Sequence, residues 1–280
     1  MTGSLREAYQ KALRDLSQAG VATPGRDARD LTAWAAGLQP MQVALEAMAV
    51  FDSGAAGRLH AAVAARARGK PVAQIIGVRE FWGREFRVTE DVLDPRPETE
   101  TLIETALAGA PADRILDLGT GSGILAISLL AEWPDARAVA VDLSAAALEV
   151  AAVNADIHRV TDRIDLRHGD WFQPVEGGFD LIISNPPYIA AAEIQSLDRD
   201  VRDWEPHLAL SPGSDGLAAY RELSANVSRY LNLQGLVILE CGHQQAKAVA
   251  ELFQGVGAGN YVIQKDLNGH DRCIKCSNFS

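Results

Sequence analysis

Residues 185–188 read Asn-Pro-Pro-Tyr, and they close the apolar run "FDLIIS" at 179–184. A strand cannot run on through Pro186 and Pro187, because neither has a backbone N–H to donate. An uncharged amide therefore stands at the mouth of a strand, followed by a stiff turn and an aromatic ring. The side-chain oxygen of Asn185 and the carbonyl of Pro186 can each accept an N–H. The ring of Tyr188 offers a flat face to a planar group. Such a set can hold and aim a planar NH₂.

A second constellation lies upstream. "ILDLGTGSG" sets Asp117, Gly119, Thr120, Gly121, Ser122 and Gly123 between a buried strand and a helix. Glycines there permit tight turns and close approach of a ligand to the backbone. The spacing is not the G-x-G-x-x-G of dinucleotide binders. No Lys-Ser/Thr follows, so it is not a phosphate-cradling loop. The next strand ends at Asp142, where an acid can accept from both hydroxyls of a ribose. A helix N-cap is the other reading of an acid there, but Ser144 is better placed for it. Further on, "HGDWF" puts Asp170 and Trp171 at another strand end, as an acceptor for an amino group and a cover for a ring. A solvated loop acid is the competing reading of Asp170.

These loops need elements to position them. From Arg114 onward, apolar strands alternate with helical stretches, which predicts a doubly wound, mainly parallel sheet. Ligands bind such sheets at the carboxyl ends of the strands, where all these residues fall. The first seventy residues have another texture. Ser4 and Glu7 form a capping box ahead of Leu5, Ala8, Ala12, Leu13 and Leu16 on one helical face. Gly20, Gly37 and Gly69 are placed to end successive helices. "VREFWGREFRV" predicts a hairpin around Gly83, and Pro97 suits the first turn of the helix that follows.

The 280 residues carry a formal net charge of −11, with 48% hydrophobic and 22% charged residues. That is a globular composition with ample core, and its sign argues against a protein that holds nucleic acid mainly by its phosphates. No apolar run approaches the ~20 residues of a membrane span, and the first residues lack the apolar stretch of a signal peptide. Three cysteines, Cys241, Cys273 and Cys276, form no disulfide framework, which fits a reducing compartment. Cys273 and Cys276 make a C-x-x-C without a second ligand pair, so two residues of a terminal strand is a better reading than zinc.

Taken together, "DLGTGSG", the acid at 142 and "GDW" resemble the class I S-adenosylmethionine-dependent methyltransferases. With "FWGREFRVTEDVLDPRPETE", "NPPYI", "DWEPHLAL" and "DGLAAYREL" added, almost the whole chain resembles the HemK/PrmC family. Only the tail after Arg272 departs from it. The resemblance implies an α/β, Rossmann-like, doubly wound seven-stranded methyltransferase sheet. It also implies a small N-terminal helical domain at residues 1–75 for release-factor recognition, a hairpin linker at 76–96 and the methyltransferase domain at 97–280.

The implied activity is methyl transfer from S-adenosyl-L-methionine to the side-chain amide of the glutamine in the Gly-Gly-Gln loop of class I peptide chain release factors. S-adenosyl-L-homocysteine is the product, and no metal takes part. Asn185, Pro186, Pro187 and Tyr188 are implied as catalytic. Asp117, Gly119, Thr120, Gly121, Ser122, Gly123, Asp142, Asp170, Trp171 and Asn185 are implied to bind cofactor. A cytoplasmic monomer with no nucleic-acid or membrane partner is expected. The same NPPY also occurs in nucleic-acid amine methyltransferases, the runner-up, and a binding module that keeps the fold as a scaffold is a third reading. Enzymes that flip an adenine usually add a recognition domain or basic cleft, and the extra domain here is helical and not basic.

Overall fold

The computed structural model describes residues 3–279. They fall into two compact units. One takes in the chain up to Val78 together with Asp198–Trp204; the other takes in Arg79–Leu197 and the chain from Glu205 on.

The first unit is built from α1 (Leu5–Gln18), α2 (Pro24–Ala36), α3 (Ser53–Ala67) and α4 (Val72–Ile76). The capping box forms: Glu7 N donates to Ser4 Oγ at 3.2 Å and Ser4 N to Glu7 Oε2 at 2.9 Å. Leu5, Ala12 and Leu16 are buried against Leu31, Leu59 and Val63, while Ala8 and Leu13 pack at the margin. Two short strands, Gly3–Ser4 and Val50–Phe51, pair antiparallel beside the helices, a feature too brief to leave a period in the sequence. Buried Arg66 joins Asp27 at 2.6 Å and reaches Asp200 at 3.3 Å. Gln74 Nε2 donates to the Trp204 carbonyl at 3.0 Å, and the Lys70 ammonium lies over the Trp204 ring.

In the second unit the hairpin is present as β1 (Val78–Phe81) and β2 (Arg84–Arg87), turning on Trp82 and Gly83, both at positive φ. Two such residues match the twist of a two-residue hairpin. Pro97–Thr99 forms a tight 3₁₀ turn that runs into α5 (Glu100–Leu107).

Then come β3 (Arg114–Leu118), α6 (Ile124–Glu132), β4 (Arg137–Asp142), α7 (Ala145–Ile157), β5 (Ile164–His168) and β6 (Phe179–Ser184). The chain continues with α8 (Ala218–Val227), β7 (Leu231–Glu240), α9 (Ala246–Gln254), β8 (Ala258–Lys265) and β9 (Asp271–Phe279). Seven of the strands make one sheet in the order β8-β9-β7-β6-β3-β4-β5. The pairs from β7 to β5 are parallel, and β9 is antiparallel to both its neighbours. This is the doubly wound seven-stranded α/β sheet expected from the sequence.

Side chains alternate across the sheet, because successive residues of a strand face opposite ways. Ile115, Ile183 and Ile238 enter one apolar cluster with Leu102, Leu125 and Leu129. Leu116, Ile182 and Val237 enter the other with Tyr220 and Phe253. Cys273 lies in the first cluster and Cys276 in the second. An i, i+3 pair in a strand points to opposite faces, so these thiols cannot share an ion or a bond. The tail that departs from the family thus completes the sheet.

Candidate active site

Parallel pairing brings the carboxyl ends of β3, β4, β6 and β7 to one edge. Gly119 N and Thr120 N both donate to Val141 O, at 2.9 and 3.0 Å, folding the glycine loop back over the end of β4. Gly119, Gly121 and Gly123 all have positive φ. At Gly123 the positive φ requires glycine, and a Cβ there would also press on Ile127 Cδ1 at 2.7 Å and Ala151 Cβ at 3.3 Å.

Asp117 is the buried post of this loop. Its Oδ2 accepts from Thr120 Oγ1 at 2.7 Å and from Ala126 N at 3.2 Å. Burial pushes the carboxyl up to about 7, against the pull of those two donors. Its Oδ1 is buried with no hydrogen-bond partner among the described residues.

Asp142 ends β4 with both oxygens engaged. Gly121 N donates to Oδ2 and Ser144 N to Oδ1, each at 2.8 Å. Burial raises its pKa, while backbone donors from Ser144, Gly121 and Leu143 and the nearby His168 oppose the rise. Ser144 is the N-cap of α7, as its position suggested, accepting from Ala147 N at 3.2 Å. Asn154, fully buried on α7, donates to Ser122 O at 2.8 Å and to Arg87 O at 3.1 Å. It thereby ties the loop to the hairpin.

A cavity of about 590 Å³ opens over this edge, well within the size of small-molecule sites. Gly119, Thr120, Gly121, Ser122, Asp142, Asp170, Trp171, Asn185 and Pro187 line it. Asp117, Gly123, Pro186 and Tyr188 stand behind the lining. The other charged groups at its wall are Glu90, Asp91, Arg96 and Glu222. Arg96 is engaged: its Nη2 donates to both oxygens of buried Glu205, at 2.7 and 2.8 Å.

The NPPY residues are held by a network that the sequence did not announce. Asn185 Nδ2 donates to Thr99 Oγ1 at 3.3 Å, and Thr99 Oγ1 donates to Glu240 Oε2 at 2.6 Å. Tyr188 OH donates to Glu240 Oε1 at 3.3 Å, and Gln245 Nε2 donates to Tyr188 O at 2.9 Å. Thr99 and Glu240 are both buried. Burial pushes the Glu240 carboxyl up to about 7, opposed by Thr99, Arg272 and Tyr188. Burial and the Glu240 charge raise the Tyr188 phenol well above its usual range. A signal for Glu240 existed: it is an acid closing an apolar strand, as Asp142 is. Thr99 sat in "RPETE", read only as the start of a helix.

The residues present fit a cationic nucleoside-type ligand. Carboxylates dominate the cavity wall, Asp142 keeps lone pairs beyond its backbone bonds, and the glycine loop leaves room for close approach. Among the described residues there is no group of three or more His, Cys, Asp or Glu able to hold a metal ion. No helix of the described residues is long and apolar enough to cross a membrane.

The doubly wound α/β fold, with its antiparallel strand next to the edge, is one that solved methyltransferases share. A methyltransferase from Pyrococcus furiosus matches 82% of this chain and all of its own, with a TM-score of 0.53 at 17% identity. The hMettl16 catalytic domain, solved in complex with the MAT2A 3′UTR hairpin 6, matches 83% of this chain and 84% of its own, with a TM-score of 0.58 at 15% identity. Residues 90–200 match the methyltransferase small domain family, and residues 7–77 match the PrmC N-terminal domain family.

The release factor glutamine methyltransferase of Cereibacter sphaeroides is 50% identical over 268 residues, 96% of each chain. That of Caulobacter vibrioides is 40% identical over 278 residues, covering 98% of this chain and 96% of the relative. The chain belongs to the release factor glutamine methyltransferase family.

Proposed function

We propose that this protein methylates the side-chain amide nitrogen of the glutamine in the Gly-Gly-Gln loop of class I peptide chain release factors, using S-adenosyl-L-methionine in the cytoplasm. The observation that carries the reading is the Asn185 amide: its nitrogen is tied back to Thr99, and its oxygen is left to accept at the cavity wall. Family membership supports the substrate, and so does the charge of the wall. Five of its carboxylates stand against one engaged arginine. That setting suits a cation and an uncharged amide and repels a phosphate backbone.

Bound, the cofactor supplies an electrophilic methyl on a sulfonium. Gly119 to Gly123 would hold its methionine end, Asp142 would accept from the ribose, and Asp170 and Trp171 would flank the adenine. An amide nitrogen has its lone pair delocalised and is a poor nucleophile, so orientation is what the protein contributes. Asn185 Oδ1 and the Pro186 carbonyl accept the two N–H groups of the glutamine, aiming the nitrogen along the line of transfer. Pro186 and Pro187 fix that carbonyl, and Tyr188 braces the turn. Neither acceptor is a base, so the nitrogen would keep both protons until it is methylated and would then release one to water.

Residues 1–75 serve recognition of the release factor, with 76–96 as linker and 97–280 as the catalytic domain. In support, the helical unit has its own core, and Met41, Leu45, Met48 and Val50 are 73% to 81% exposed on it. Transfer of tritium from labelled cofactor to purified release factor, RNA and DNA, run side by side, tests the whole reading. Label should enter the release factor and leave with its Gly-Gly-Gln peptide. Label on a nucleic acid and none on the factor would overturn it.

A further inference from the structure

"RPETE" at 96–100 begins α5 and also carries two groups that face the site, Arg96 and Thr99. Thr99, its fourth residue, has a single hydroxyl proton, and that proton faces Glu240 Oε2 at 2.6 Å. With Glu240 ionised, above about pH 7, a hydroxyl bond to its carboxylate is short and strong, so this contact outweighs any other use of the proton. Toward Asn185, Thr99 then presents only a lone pair. Of the two ends of the Asn185 amide, only the NH₂ can meet a lone pair, and Nδ2 lies 3.3 Å away. The amide oxygen is therefore turned away from Thr99.

From these contacts we infer that Thr99 and Glu240 are positioning residues: a carboxylate–hydroxyl relay that fixes which end of the Asn185 amide meets the substrate. The inference rests on the function proposed above and extends it to Thr99, which lines the cavity, and to Glu240, which stands behind it. The sheet builds the relay. Ser184 of β6 pairs with Leu239 of β7, so the next residue on each strand, Asn185 and Glu240, emerge side by side. The second carboxylate oxygen takes Tyr188 OH at 3.3 Å. Both polar ends of NPPY are thus referenced to one buried group. With the Asn185 amide reversed, its NH₂ would face the NH₂ of the glutamine, donor against donor, and the substrate nitrogen would keep only the Pro186 carbonyl as an acceptor.

Thr99→Val keeps the shape and removes the hydroxyl, and Thr99→Ser keeps the hydroxyl and removes the methyl. Single-turnover methylation of purified release factor is measured at saturating cofactor, with cofactor affinity measured separately by calorimetry. Thr99→Val should slow transfer by about 10- to 100-fold, the usual reach of an outer-shell partner. Thr99→Ser should stay within about twofold of the native rate, and both should bind cofactor within about twofold of the native affinity. Equal losses in the two variants would mean that packing matters and the hydroxyl does not, which overturns the relay. So would a full rate in Thr99→Val.

Should Thr99→Val fail to fold, the side-chain amide of Asn185 is followed by NMR in the intact native protein. One protected amide proton is expected; fast exchange and free rotation of both sinks the relay. Asn185→Ala separates the two levels. If it is inactive while Thr99→Val is not, only the relay falls; if it runs at the native rate, the function proposed above falls with it.

Discussion

Two ends of one sheet edge solve the same problem differently. At the β3–β4 end, Asp142 accepts from backbone N–H groups of Gly121 and Ser144. At the β6–β7 end, Glu240 accepts from side-chain hydroxyls of Thr99 and Tyr188. The first carboxylate shapes a loop, and the second aims side chains. A loop shaped by its own backbone binds a ligand of fixed form, and side chains aimed by a buried acid can be tuned to the atom they must steer. If the two ends do separate jobs, substitution at one should leave the other's job intact although both lie on one edge of the same sheet.

The largest expected effect breaks the steering end. Asn185→Ala removes an acceptor at the reacting nitrogen, and the loss of one preorganised contact there costs ~10²–10³ in rate. Cofactor affinity should change little, since the glycine loop and Asp142 remain. Single-turnover rate and calorimetric affinity check the two halves, and a parallel fall in both would erase the distinction between the ends.

Next comes the binding end. Asp142→Ala deletes the carboxylate acceptor of two backbone N–H groups as well as the proposed ribose contacts. Each charge-assisted bond is worth ~1.5–3 kcal/mol, so cofactor affinity should fall at least about tenfold. Titration calorimetry that finds native affinity would remove Asp142 from the site.

A smaller effect sharpens the comparison through pH. The Glu240 carboxyl sits at about 7 against an ordinary 4.5, so the folded state holds that proton more tightly than the unfolded chain. The resulting stability is full below about pH 4.5 and is lost as pH rises through about 7. Glu240→Gln cannot ionise. Relative to the native protein it should therefore gain about 2 to 3 kcal/mol between pH 5 and pH 8, because the carboxyl moves from 4.5 to about 7 and one pKa unit is worth ~1.4 kcal/mol. Asp117 shifts the same way but is present in both proteins and cancels. Denaturant midpoints at the two pH values that move in step for both proteins would refute the assignment.

The smallest effect is expected at the cysteines. Burial pushes Cys241, Cys273 and Cys276 up to about 12. A thiol reagent should leave all three untouched in the folded protein and titrate them only after unfolding, since the thiolate is the reactive form.

The same contrast explains what could be read from the sequence. The binding end is local: a glycine loop, a following strand and its terminal acid lie within residues 117–142, and each has a spacing that physics restricts. The strands themselves were legible because buried parallel strands are continuous apolar runs. The steering end is not local. Thr99 and Glu240 are 141 residues apart, and Thr99 and Asn185 are 86 apart, so no window of sequence contains the relay. Nor does any window show that Asp198–Trp204 belongs with the helices of the first unit, because the ties lie on Arg66 and Gln74. The last strand could be placed by its cysteines only as a strand; that they face opposite cores follows from the pleat.

That displaced segment has a consequence for how the protein is made. Synthesis runs from the N-terminus, and the helices up to Val78 emerge long before residues 198–204. At ~5–20 residues per second the interval is on the order of ten seconds. Through that time Arg66 has Asp27 but not Asp200, and Gln74 has no Trp204 carbonyl to meet. The helical unit is therefore finished by the ribosome only after the glycine loop and NPPY have been made.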